Sequence, residues 1–268
     1  MKSKLTVIIV AVVLVAVIAA GVIFLPGLLN KDDDNAVPTD SGEMVKVWLV
    51  GGFSVAEEGG LPSMNAKIEY DENYNLSKIV YYQQGEVYNT TEIKCDNENR
   101  ITDMIYSNVI QHDEYKYNEN GKLTEHIFSW GSGDQIKVTK TEYVYDENGL
   151  LEKSVQDNNV TVYEYDENGV RTKEILYMDG TESRYTIYEY DSNGYIKSKI
   201  TYNSNSDAEL IRYTYKYDSN NNLTEYAFAD NHESEVICYE DYTCVEVSPE
   251  LAEALNRQQR FFTIGNTE

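Results

Sequence analysis

The sequence predicts an all-β protein: an antiparallel meander of β-hairpin repeats in a strongly curved or rolled sheet. A transmembrane helix is expected before the sheet and a short capping helix after it. Three observations support this prediction. Residues 5–25 form one uncharged apolar run, a Tyr-Asp-x-Asn-Gly motif recurs about every 25 residues, and apolar and polar residues alternate around each motif.

Composition excludes several classes of protein. The chain has 268 residues and a formal charge of −24, which argues against nucleic-acid binding because phosphate contacts need Lys and Arg. Hydrophobic residues make up 41% and aromatic residues 12%, enough to build a core rather than a disordered chain. Three cysteines are too few for a disulfide scaffold.

The apolar run at residues 5–25 predicts a membrane anchor. As a helix its 21 residues would span roughly 30 Å, the thickness of a bilayer core. Lys2 and Lys4 precede the run, so the positive-inside rule places the rest of the chain outside the cytoplasm of a single-pass membrane protein. The alternative is a signal peptide cleaved near Ala19 and Ala20, which would release a secreted protein.

The sequence divides into four segments. We expect an anchor at residues 1–29, an acidic linker at 30–43, a repeat domain at 44–247 and a C-terminal helix and tail at 248–268. Residues 31–268 hold all 46 acidic residues and 20 of the 22 basic ones, a net charge of −26. The predicted extracytoplasmic part is therefore strongly acidic.

A repeat of about 25 residues fills the third segment. Three near-identical copies begin at Tyr145, Tyr165 and Tyr190. Weaker copies share their frame, and together the seven copies start at Tyr70, Cys95, Tyr117, Tyr145, Tyr165, Tyr190 and Tyr217. One further step reaches Tyr242, where a terminal strand is expected.

The motif has the chemistry of a hairpin turn. Asp and Asn accept local backbone hydrogen bonds, and Asn and Gly tolerate positive φ. A three-residue loop at 147–149 would place Tyr145 opposite Leu151. The residues assigned to this structural role are Asp71, Asp146, Asn148, Gly149, Asp166, Asn168, Gly169, Asp191, Asn193, Gly194 and Asp218.

Period-two alternation predicts one buried face for each hairpin. Tyr stands two residues before most motif tyrosines, Leu or Ile usually six residues after them, and Val or Ile usually ten residues after them. We expect all of these on one core-facing surface. Seven repeats imply about 14 strands, and open sheets beyond roughly ten strands curl or split, so we expect the sheet to roll.

The ends of the array differ from its middle. Residues 44–50 predict a first strand, followed by breaks at Gly51-Gly52 and Gly59-Gly60. Ser248 and Pro249 suit the N-cap and first position of a helix over about residues 250–260. This helix is expected to cover the last edge of the sheet.

The frame Tyr-Asp-x-Asn-Gly-x-Leu, with Tyr two residues upstream, resembles the YD repeats of Rhs and teneurin-type surface proteins. The resemblance covers about residues 65–245 and is best over 141–202. It implies a short, stand-alone β-repeat array that lies outside the cytoplasm and contacts surfaces or carbohydrate. No separate C-terminal effector domain is evident, so encapsulation of a toxin is not implied.

Signals of catalysis and cofactor binding are weak. His112, His126 and His232 have no metal-ligand spacing to one another or to Cys, and neither a nucleophile elbow nor a phosphate-binding glycine loop occurs. We therefore predict no catalytic residues, no cofactor and no specific metal. The turn motif fails the EF-hand pattern, which leaves weak binding of divalent cations to the acidic surface as the alternative.

The predicted function is non-catalytic binding of an envelope or extracellular polymer, or of a surface protein. Most tyrosines should lie in the core, so the candidate binding residues are those near the variable segments between repeats: Trp130, Tyr82, Tyr177 and Tyr202. The alternatives are a structural spacer or shell without a ligand, and a glycan hydrolase using paired carboxylates. Cys95 is expected as a buried free thiol, and Cys238 and Cys244 to pair only if the chain turns between them.

Overall fold

The computed structural model describes residues 44–132, 135–230 and 233–264, with no side chains described beyond Phe261. Within these ranges lie eighteen β-strands and one α-helix. This helix is not long and apolar enough to cross a membrane. The membrane segment expected at residues 5–25 and the linker at 30–43 lie outside the described residues.

The strands and the helix follow one another along the chain with short connections. They are β1 (Val45–Leu49), β2 (Gly52–Glu57), β3 (Met64–Tyr70), β4 (Leu76–Gln83), β5 (Glu86–Cys95), β6 (Ile101–Tyr106), β7 (Ile110–Tyr117), β8 (Leu123–Ser132), β9 (Gln135–Tyr145), β10 (Leu151–Gln156), β11 (Asn159–Tyr165), β12 (Arg171–Met178), β13 (Thr181–Tyr190), β14 (Ile196–Asn203), β15 (Glu209–Tyr217), β16 (Leu223–Asp230), β17 (Ser234–Glu240), β18 (Thr243–Val247) and α1 (Pro249–Ile264).

Sixteen of the described strands form a closed antiparallel barrel. The seven predicted repeats are confirmed as the seven hairpins from β3–β4 to β15–β16. Strands β2 and β17, which lie outside the repeats, pair with each other and close the ring. The sheet therefore does not remain an open curved meander: closure satisfies both edges, which a rolled but open sheet would leave unpaired.

Two glycines allow close backbone approach at the start of β2, one towards the end of β17 and one towards β3. A Cβ added to Gly51 would lie 2.5 Å from the carbonyl oxygen of Asp241, and one added to Gly52 would lie 2.6 Å from that of Ala66. The predicted break at Gly51-Gly52 is thus a point of close backbone approach, and β2 begins within it.

The predicted first strand is confirmed as β1, whereas the helix lies elsewhere than predicted. Strand β1 is not part of the barrel and pairs with β18 in a separate two-stranded ribbon. Because the barrel has no free edge, α1 lies instead across one end of it: Gln258 accepts a hydrogen bond from the Leu76 amide (2.7 Å) and donates to the Asn99 carbonyl (3.1 Å). Phe261 packs edge-on against Tyr115, with ring centroids 5.0 Å apart.

The helix start is as predicted, since the Ser248 hydroxyl caps the Leu251 amide and Pro249 opens the helix.

The repeat turns are built as the motif predicts. In the turn after β9, the Asp146 carboxylate accepts hydrogen bonds from the Asn148 and Leu150 amides at 2.9 and 2.8 Å, and Gly149 has φ 79°. Tyr145 and Leu151 are register partners. The same pair of bonds is made by the first turn residue of the other repeats, namely Asp71, Asp96, Asn118, Asp166, Asp191 and Asp218.

A register shift next to each turn changes which residues face inward. In β3–β4, Tyr70 pairs with Leu76, but Glu69 then pairs with Lys78 rather than Ser77. This bulge moves the residue ten positions after the motif tyrosine to the outer face and the ninth to the inner face. The single core face predicted from the ten-residue spacing is therefore wrong beyond the bulge, whereas the buried tyrosines and leucines are as predicted.

Four motif tyrosines, and Tyr242 after the last repeat, also donate a hydrogen bond to the preceding repeat, whereas Tyr70 donates to the Val50 carbonyl. The Tyr117 hydroxyl donates to the Ile101 carbonyl at 2.8 Å, and Ile101 stands six residues after the preceding motif position. Tyr145, Tyr165, Tyr190 and Tyr242 donate in the same way to Leu123, Leu151, Arg171 and Leu223, at 2.6–2.9 Å. We call these bonds the tyrosine staples.

Removing one tyrosine staple should destabilise the barrel. Tyr117→Phe keeps the ring but leaves the Ile101 carbonyl without this donor, so we expect a loss of about 1–3 kcal/mol in the free energy of unfolding, measured by urea denaturation of the full chain. Tyr74→Phe, at a side chain that is 39% exposed, is the control and should change it by less than about 0.5 kcal/mol. Equal effects of the two substitutions would contradict the staple.

Candidate functional site

The two ends of the barrel differ in how they are covered. All seven repeat turns lie at one end, here called the motif rim, where β1, β18 and α1 also pack. The segments between repeats lie at the other end, here called the variable rim. Inward-facing Lys137 and Arg184 are exposed near this rim, so the inner face meets solvent there.

One half of the inner face is polar. The residue nine positions after the motif tyrosine points inward in every repeat. It is apolar or aromatic in β4, β6 and β16 but polar in four successive hairpins, where it is His126, Ser154, Glu174 and Lys199. A barrel interior packed for stability alone would bury apolar residues there, so the polar half is the candidate functional surface.

Alternate residues of β8 form a row of rings on this surface. His126 stacks on Tyr115 with centroids 4.7 Å apart and planes at 7°. Phe128 follows His126 at 6.4 Å, and Trp130 stacks on Phe128 at 4.9 Å and 18°. The row runs from the core to the variable rim. Phe128 and Trp130 are half-buried, and we call these two rings the aromatic platform.

Polar side chains flank the aromatic platform on the neighbouring strands. Gln111 pairs with Trp130 and Asp113 with Phe128 across β7–β8. Asp113 lies 2.7 Å from the Nε2 atom of buried His126, while the Gln111 amide nitrogen has no hydrogen-bond partner within the described part of the chain. The surface thus offers flat apolar rings beside hydrogen-bonding groups.

Three basic residues form a second inner feature, on β12–β14. Arg171 is fully buried, with its guanidinium 4.3 Å from the centre of the Tyr163 ring. Lys199 is 6% exposed and its ammonium lies 4.5 Å from the Tyr213 ring centre. With exposed Arg184 nearer the variable rim, these residues form the basic strip.

Two carboxylates face each other at the seam of the barrel. Glu57 of β2 and Glu235 of β17 are direct register partners on the inner face. Burial raises the pKa of Glu235 to about 7, and the negative charges of Glu233 and Glu57 contribute to the shift.

The four predicted binding residues do not form one site. Trp130 points inward, where it completes the aromatic platform. Tyr82, Tyr177 and Tyr202 occupy the same repeat position, twelve residues after the motif tyrosine, and point outward near the ends of their strands. All four lie within strands rather than in the variable loops.

The cysteines are free thiols. Cys238 and Cys244 are exposed and unbridged, although the chain turns at Asp241, where φ is 59°. Cys95 replaces a motif tyrosine, and burial, helped by the charges of Asp71 and Asp96, raises the pKa of its thiol to about 12. This confirms the expected free thiol at Cys95, which is partly buried.

Within the described ranges, no three His, Cys, Asp or Glu side chains converge as metal ligands. The absence of a cofactor and of catalysis stays a prediction.

Comparison with known proteins finds similarity at the level of the fold. No family model matches the chain, and no curated protein matches it. A porin-like protein from Bacteroides uniformis is 13% identical, with 71% of this chain and 97% of that chain covered and a TM-score of 0.46. A porin-like protein from Bacteroides vulgatus is 12% identical, with the same coverage and a TM-score of 0.42. The TcdB2-TccC3 complex is 12% identical over 68% of this chain and 12% of that chain, with a TM-score of 0.29.

The raised pKa of Glu235 predicts how stability depends on pH. In an unfolded chain Glu titrates near pH ~4.3, so between that pH and about 7 the folded state binds more protons than the unfolded state. We expect the melting temperature to fall as pH rises through this window, and Glu235→Gln to flatten the dependence. Glu69→Gln, at an exposed carboxylate on the outer face of β3, should keep the wild-type slope. An unchanged slope in Glu235→Gln would contradict the prediction.

Proposed function

We propose that the chain is a membrane-anchored envelope or surface protein that binds an extracellular or envelope glycan without transforming it. The binding surface is the polar half of the inner face, entered from the variable rim. The observation that carries this proposal is the stacked pair Phe128 and Trp130 beside Gln111 and Asp113.

The aromatic platform suits a sugar ring. Pyranose rings have an apolar face that packs on aromatic rings, while their hydroxyl groups need hydrogen-bonding partners at the edge. Phe128 and Trp130 offer such a face, and Gln111 and Asp113 stand beside it on β7. A purely structural core would not require half-buried rings next to an unpartnered amide nitrogen.

The arrangement of the termini agrees with an anchored protein. The chain enters the barrel from β1 at the motif rim, and that rim is covered by α1. An anchor at residues 5–25 would therefore hold the covered rim towards the membrane and leave the variable rim facing outward. The sevenfold turn motif, with its shared Asp hydrogen bonds, supports the proposed relation to YD repeats.

A second candidate function is hydrolysis of the same glycan. Glycosidases use two carboxylates roughly 5–10 Å apart. The Cβ atoms of two residues directly opposite each other on paired strands are about 4.5–5.5 Å apart. Glu57 and Glu235 have this relation, and the pKa of Glu235 is raised to about 7, as a general acid requires.

Retention of the full chain on insoluble glycans tests the proposal. The protein is kept in lauryldimethylamine oxide and incubated with insoluble cell-wall material and a panel of polysaccharides. We expect saturable retention that Trp130→Ala or Phe128→Ala weakens at least about tenfold, because both substitutions remove a ring of the aromatic platform.

The matched controls are Tyr177→Ala and Tyr202→Ala, which remove outward rings at the same end of the barrel. They should leave retention unchanged, with folding of all variants checked by circular dichroism. Loss of retention in Tyr177→Ala or Tyr202→Ala alone would place binding on the outer face and contradict the proposed surface. No retention of the wild-type protein on any glycan would overturn the proposal. Reducing ends released by wild type but not by Glu235→Gln would replace it with the hydrolase.

A further inference from the structure

The basic strip is unusual in a chain of such negative charge. The chain carries a net charge of −24, yet Arg171, Lys199 and Arg184 succeed one another on the inner faces of three adjacent strands. Two of the three are almost fully buried. Placing cations in a barrel interior is costly unless they have counterions or hydrogen-bond acceptors.

Arg171 has partners within the barrel, and a carboxylate lies close to it in sequence. The Arg171 guanidinium lies over Tyr163 and donates to the Tyr165 hydroxyl at 3.0 Å. Glu174, three residues later, accepts a hydrogen bond of 2.7 Å from the Tyr188 hydroxyl. Arg171, Glu174 and Lys199 together therefore carry one surplus positive charge.

Lys199 makes no direct contact with an anion in the described part of the chain, although Glu174 acts on it electrostatically. Its ammonium contacts the face of the Tyr213 ring, and no hydrogen bond or ion pair joins it to any residue of the described part of the chain. Burial lowers the pKa of Lys199, and nearby Arg171 adds to this effect while Glu174 opposes it.

We propose that Lys199, with Arg184 on its rim side, binds a monoanionic group of the glycan: a carboxylate of a uronic acid or a phosphodiester of the polymer backbone. This inference rests on the proposed function and adds that the glycan is acidic. The one surplus charge of Arg171, Glu174 and Lys199 matches a monoanion, while Arg184 is exposed to solvent. Because the exterior of the protein is acidic, an anionic polymer is repelled elsewhere and is directed to the inner face.

Calorimetric titration of the full chain in lauryldimethylamine oxide tests the charge requirement. Three probes are compared at about 0.15 M ionic strength: trigalacturonate, its neutral trimethyl ester, and a glycerol trimer joined by phosphodiesters. We expect one of the two anionic probes to bind at least about tenfold more tightly than the ester. The anionic probe that binds identifies the source of the anion.

Lys199→Gln should abolish this preference, whereas Lys197→Gln should retain it. Lys197 stands on the same strand and its substitution changes the net charge equally, but its side chain is exposed. Lys199→Arg, which keeps the charge, should restore the preference if Lys199→Gln impairs folding.

The outcomes separate the two proposals. Equal affinity for trigalacturonate and its ester, or equal loss of the preference in Lys197→Gln and Lys199→Gln, overturns the acidic-glycan inference and leaves glycan binding in place. Failure of all three probes to bind, together with no retention on insoluble glycans, overturns both.

Discussion

The hydrogen bond from a motif tyrosine to the preceding repeat, made by Tyr117, Tyr145, Tyr165 and Tyr190, is the interaction on which the register of the barrel depends. A turn held by Asp146 fixes only its own hairpin, and strand pairing alone permits slippage between hairpins. The Tyr145 hydroxyl, bonded to the Leu123 carbonyl, fixes the offset between neighbouring repeats. Repeated from the second to the sixth hairpin, this offset keeps successive turns at one rim, where α1 packs.

The sequence predicts the repeat well because its signals are local. The turn is predicted by Tyr145, Asp146 and Gly149, because Asp146 accepts local backbone hydrogen bonds and Gly149 adopts positive φ. The recurrence of these residues predicts the number of hairpins. The bulge beside the turn could not be predicted from alternation, because one extra residue exchanges the two faces of the strand. Alternation alone therefore places the ninth position, where His126 and Lys199 stand, on the outer face, although its change from apolar to polar residues is visible in the sequence.

Closure of the barrel likewise could not be predicted from local sequence patterns. The pairing of β2 with β17 joins residues about 180 positions apart, and neither strand carries the repeat motif. Closure also determines the environment of the inward-facing polar residues. In an open sheet Trp130 and Lys199 would lie on one exposed surface, whereas in the barrel both lie on the inner face, which α1 covers at the motif rim and which meets solvent at the variable rim.

Cross-linking across the seam tests the closed barrel most directly. Ser54 of β2 and the free thiol Cys238 of β17 are register partners, at a separation that suits a disulfide. Under mild oxidation, Ser54→Cys should form a disulfide between positions 54 and 238, detected by mass spectrometry of the digested protein. Glu225→Cys is the control, because position 225 pairs with Cys238 within the β16–β17 hairpin whether or not the barrel closes. A cross-link in the control but not in Ser54→Cys would show that the sheet is open and would contradict the account.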